Sequence, residues 1–136
     1  MTEKRKLART LGRTLLAWAF SSLVVGLLLY LFSTSLLQGI GLQAMLWGFI
    51  DVVIASFTLF KQQDDPASKL AKILLINVGL DVGYQAVGVI LLLFFGQDPF
   101  IAGNGIGVII QGAFLFILDL YFYRKMKRLV SIEENE

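Results

Sequence analysis

The sequence predicts an all-α polytopic membrane protein, a bundle of four transmembrane helices. Three observations predict it. Apolar residues make up 57% of the 136 positions and charged residues only 16%, against about 25% charged in a soluble domain. The apolar residues collect in four runs, each near the roughly 20 residues that cross a bilayer as a helix. All twelve lysines and arginines fall before the first run, around the loop between the second and third, or after the fourth. Four spans alternate sides, so these are the loops on one side of a membrane, and the positive-inside rule makes that side cytoplasmic. Both termini are therefore expected on the cytoplasmic face of the plasma membrane.

A basic cytoplasmic segment, 1–14, comes first. Its apolar sequel is too long for a secretory leader and no A-x-A site follows it, so it reads as a retained anchor. Arg5, Arg9 and Arg13 recur every four residues and share one helix face. That face suits anionic lipid headgroups; ordinary topology signalling explains the same residues. The first span, 15–37, is uncharged, and Gln38-Gly39-Ile40-Gly41 is expected to break it. The second, 42–60, holds Asp51. A polar loop, 61–68, follows, with Asp65-Pro66 as the cap and opening proline of the next helix. The third span, 70–95, holds Asn77, Asp81 and Gln85. A loop over 96–104 with Asp98-Pro99 and Gly103-Asn104-Gly105 leads to the fourth span, 105–123, and a charged cytoplasmic tail, 124–136. A weak echo relates the halves: Gly-Ile-Gly at 39–41 and 105–107, then Gly48/Asp51 and Gly112/Asp119. Such a repeat of hairpins has its axis along the membrane normal.

The polar residues inside the spans carry the functional information, because a carboxylate in hydrocarbon costs roughly 3 kcal/mol or more. Asp51, Asp81, Gln85 and Gln111 lie near mid-span, with Asn77 one turn away. Asp119 lies about one turn from the end of the fourth span, where water, Arg124 and Lys125 are in reach, and reads as an interfacial carboxylate. At 100° per residue, Asn77, Asp81, Tyr84, Gln85 and Gly88 share one face of the third span. Gly79, Gly83 and Ala86 share the opposite face, where Gly79-x-x-x-Gly83 admits another helix closely. The third span is therefore expected to be central, with Gly79, Gly83, Gly103 and Gly107 at tight crossings. Trp47 shares the face of Asp51, either lining its cavity or packing beside it. Trp18, Tyr121 and Tyr123 read as interface belt.

No lysine or arginine sits at the depth of Asp51 and Asp81. Two carboxylates brought together there cannot both stay ionised easily, so one holds a proton or a cation binds between them. Amides and hydroxyls around them suit proton exchange or cation coordination; the same groups also suit helix glue.

The absence of cysteine and histidine excludes disulfides, thiol chemistry, imidazole–zinc sites and histidine acid–base catalysis. No nucleotide loop, nucleophile elbow or metal-ligand spacing is present. No cofactor is expected, the basic termini are explained by topology without nucleic acid, and no ligating metal is assigned. An intramembrane aspartyl dyad is disfavoured: Gly79-Leu80-Asp81 is not G-x-G-D, and no tyrosine precedes Asp51. Two classes remain. One is proton- or cation-coupled transport or permeation by an oligomer, such as a dimer. The other is a non-transporting binding, assembly or lipid-contact module whose polar core is structural.

Overall fold

A computed structural model of the chain describes residues 2–60 and 65–134. It contains four helices: α1 (Glu3–Phe32), α2 (Ser35–Phe60), α3 (Ala67–Phe95) and α4 (Pro99–Glu134). Each is long and apolar enough to cross a membrane. Large apolar side chains such as Phe32, Phe60, Leu93 and Phe94 lie on the outside.

The helix ends differ from those expected, for reasons of capping and close packing. The first break falls at Ser33-Thr34, because α1 ends there and the Gln38 amide donates to the Tyr30 carbonyl at 3.0 Å, satisfying one of the open carbonyls of a helix end. Gly39 and Gly41 lie inside α2, and Gly103 and Gly105 inside α4. α4 opens instead at Asp98-Pro99. The Asp98 carboxylate accepts from the Phe100 and Ile101 amides, with proline at the first helical position. For α3 the capping residue is Pro66, without a side-chain cap. Lys61 to Asp64 of the expected polar loop lie outside the described residues.

The glycines serve crossings, where a missing side chain lets backbones approach. A Cβ on Gly26 of α1 would stand 2.6 Å from the Gly41 carbonyl oxygen of α2, and one on Gly41 would stand 2.6 Å from the Gly26 carbonyl. Gly88 of α3 and Gly105 of α4 meet in the same reciprocal way, at 2.9 and 3.0 Å. Gly39 and Gly103 meet each other where α2 and α4 cross near their starts. Gly48 rests on Ala19 and Leu23 of α1, and Gly112 on Asp81 and Gln85 of α3. Gly39, Gly41 and Gly48 thus correspond to Gly103, Gly105 and Gly112. The halves are related by this register, two residues away from the one that aligns Gly39-Ile40-Gly41 with 105–107. Under it Gly107 matches Gln43, against whose side chain it packs.

α1 therefore packs on α2, α3 on α4, and α2 on α4, with α1 also touching α4. α4 is the most enclosed, 56% of its apolar window buried, and α3 the least, at 11%. This corrects the expected central position of α3. Gly79 and Gly83 meet nothing within 4 Å; the crossing expected at them is not made within the chain. The starts of α1 and α3 lie together, since the Lys4 ammonium donates to the Asp65 carbonyl. Phe122 and Met126 of α4 join them in one core with Ala67, Ala71, Leu7 and Leu11. The basic residues of α1, α3 and α4 consequently gather at one end of the molecule.

Candidate functional site

Three helices each contribute one carboxyl group to a common region. Asp51 of α2 is 1% exposed, Asp81 of α3 2% and Asp119 of α4 9%. Asp81 and Asp119 present their carboxyls to one another within hydrogen-bonding reach, and Asp51 is in electrostatic range of both. Asp51 Oδ2 and Asp81 Oδ2 are enclosed and find no hydrogen-bond partner among the described residues. Among the described residues none of the three pairs with a lysine or arginine; the ion pairs Lys6–Glu3 and Lys69–Asp65 are at the surface. An ionised carboxylate only accepts, so a hydrogen bond between two carboxyls requires a proton on one of them.

Asp119, expected within reach of water, Arg124 and Lys125, is buried and belongs to this cluster. It lies inside α4, which continues eleven residues past Tyr123 to Glu134. Leu115, Leu118, Phe122 and Met126 are all buried; their three- and four-residue spacing past position 123 is the sequence signal that marks the continuation. The repeat register makes the site one-sided. The counterparts of Asp51 and Asp119 are Leu115 and Ala55, and Ala19 of α1 lies against Gly48 as Asp81 of α3 lies against Gly112, so the second half-site is apolar.

Asn77 joins Asp119 on the wall of a cavity of about 240 Å³ that runs towards the basic end, between Leu11 of α1, Ile54 and Phe57 of α2, and Ile73 of α3. Trp47 and Tyr84 meet edge to face, with centroids 4.6 Å apart. This ring pair ties α2 to α3 on the faces that carry Asp51 and Asp81, and packing is the role the structure gives Trp47.

Two of the expected site residues are turned elsewhere. Gln111 accepts from the Trp18 indole at 2.8 Å and donates to Ser22 Oγ at 3.3 Å, so it binds α4 to α1 and leaves the carboxyl cluster. Trp18, read from the sequence as interface belt, is held to α4 by that bond and by stacking on Phe114 at 3.9 Å. Gln85 donates to the Ile109 carbonyl at 2.9 Å, holding α3 to α4 beside Gly112. Gln43 likewise donates to Asn104 at 2.8 Å between α2 and α4. In the repeat register Gln111 matches Trp47, and Ser22 precedes the Gly26 crossing by four residues as Tyr84 precedes that of Gly88, so one half joins its neighbour by hydrogen bond and the other by rings.

Arg5, Arg9 and Arg13 are exposed along one side of α1, as their spacing predicts. Lys125 lies over the Tyr121 ring and Lys127 over Tyr123, with Tyr121 exposed.

None of the curated proteins and none of the solved structures matches the chain. Residues 14–120, which include the glycine crossings described above and all three carboxyl groups, match one family, and the chain belongs to it: the family of unknown function DUF6992.

Proposed function

We propose that this is an integral membrane protein of the plasma membrane, a bundle of two repeated helical hairpins with both termini cytoplasmic. In this reading Asp51, Asp81 and Asp119 form a coupled carboxyl site that takes up and releases a proton, and so drives or permits transport. The observation that carries it is the enclosure of Asp51 Oδ2 and Asp81 Oδ2 without a partner, beside Asp119 and away from any basic side chain. Ionised carboxylates left so are costly in hydrocarbon, whereas a shared proton relieves both the repulsion and the unmet hydrogen bond. A proton is favoured because two carboxyl groups that face each other can share one without any further ligand. The cavity from Asp119 and Asn77 towards the basic end gives the proton or solute a route on one side. Arg5, Arg9 and Arg13 hold that end to anionic headgroups. The protein works as an oligomer here, with the open Gly79–Gly83 face of α3 against a second copy.

Purified protein in proteoliposomes tests the reading. An imposed pH gradient is expected to collapse faster than in empty vesicles, and Asp81→Asn or Asp51→Asn is expected to remove the difference. Equal decay in wild type, both variants and empty vesicles refutes it. A non-transporting assembly module is the second reading. The bonds Gln43–Asn104, Gln85–Ile109 and Trp18–Gln111–Ser22 favour it, because each joins two helices and leaves its amide committed to structure.

A further inference from the structure

The cavity beside Asp119 has features that proton exchange alone does not use. Ile54, Phe57 and Ile73 border it and are themselves 49%, 72% and 45% exposed, so it opens sideways, between α2 and α3, towards the surface that faces hydrocarbon in the reading above. Its walls are overwhelmingly apolar, with Leu7, Leu11 and Leu70 on the side of the basic end. Besides Asp65, its polar lining is Asp119, Asn77 and Thr58, and Asp119 interacts with the buried carboxyl of Asp81. At its outer rim Asp65 accepts from the ammonium groups of Lys4 and Lys69.

We infer that this cleft binds a membrane-dissolved organic cation, with an apolar body against Leu11, Ile54 and Ile73 and a single positive charge at Asp119 and Asn77. The inference rests on the membrane reading above and names the solute class of the same site. The apolar walls select an amphiphile. The sign of the charge follows from the carboxyl groups, since an anion beside Asp119 meets two or three acceptors and, among the described lining residues, no cationic side chain. Entry from the bilayer avoids the basic end, which repels cations arriving from water. A cation at Asp119 also competes with the proton that Asp119 shares with Asp81, which couples solute to proton through one group.

Equilibrium dialysis of octyltrimethylammonium against the protein in phosphatidylcholine nanodiscs tests it, with empty nanodiscs and octane-1-sulfonate as controls. Saturable binding of the ammonium over empty discs is expected, without binding of the sulfonate. Asp119→Asn is expected to weaken it at least about tenfold, as loss of a desolvated charge partner does. Ile73→Trp, which fills the cleft and leaves the carboxyls in place, is expected to weaken it comparably and guards against a folding defect in the first variant. Undiminished binding by both variants, no binding by wild type, or preference for the sulfonate overturns the inference; the last outcome makes the cleft a seat for anionic lipid. The infrared carbonyl band of a protonated carboxyl separates the failures. If wild type has the band and binds no cation, the solute class alone is wrong. If it lacks both, the proton site is wrong too.

Discussion

Asp81 of α3 and Asp119 of α4 turn their carboxyl groups to each other within a contact that Gly88, Gly105 and Gly112 bring close. A pair of this kind holds together only with a proton between the two groups. An amide in either place donates without one. Asp81→Asn and Asp119→Asn are therefore expected to keep the melting temperature of wild type in detergent, or raise it, while abolishing proton flux in vesicles. A loss of several degrees in both variants would mean the acids are needed as structure.

The glycine crossings give a graded prediction. Gly26→Ala sets a methyl carbon 2.6 Å from a carbonyl oxygen, and backbone cannot yield as a side-chain tip does. Overpacking of that kind costs about 1–3 kcal/mol, as does Gly41→Ala. Gly79→Ala and Gly83→Ala enter open space and are expected to leave monomer stability unchanged. Thermal melts of the four variants check this order. Gly83→Leu adds a test of assembly: a lower oligomer content with unaltered helix content supports a second copy on that face, and an unaltered oligomer removes it.

The Trp18–Gln111–Ser22 chain is expected to be structural. Gln111→Leu leaves the Trp18 indole and Ser22 hydroxyl unpaired, and a double-mutant cycle with Trp18→Phe should give a coupling of about 0.5–2 kcal/mol. Flux through the carboxyl site should survive. A variant that melts like wild type yet loses flux would return Gln111 to the site.

Topology is checked with the chain's own lack of cysteine. Cysteines placed at Thr34 and Gln97, in the two connections opposite the basic end, are expected to react with an impermeant thiol reagent on intact cells. Labelling only after lysis contradicts the orientation.

Much of this was legible in the sequence, and what was not has physical causes. Asp51 and Asp81 stood out because the cost of a carboxylate in an apolar span is large and independent of the fold. Their faces followed from helical periodicity, and Tyr84 and Trp47 with them. Asp119 was obscured by the charges Arg124 to Arg128, which end the apolar run but not the helix; lysine and arginine are good helix formers. Gln111 was misassigned because an angle on a helix states which residues share a face, not which neighbour lies there. Gly39 and Gly41 read as a break by local propensity, while close packing between helices uses the same residue for contact; Gly103 was expected at a crossing and makes one. The pattern Gly-x-Gly with a third glycine seven residues on, repeated at 39 and 103, held that information. It was hidden by the more conspicuous Gly-Ile-Gly.

Infrared spectroscopy of the protein in nanodiscs at neutral pH tests the central claim most directly, because it sees the proton on the carboxyl itself. Wild type is predicted to show a carbonyl band of protonated, water-excluded carboxylic acid that is lost or shifted in Asp81→Asn and altered in Asp51→Asn and Asp119→Asn. A wild-type spectrum without that band, or a band untouched by all three substitutions, contradicts a shared proton at this site.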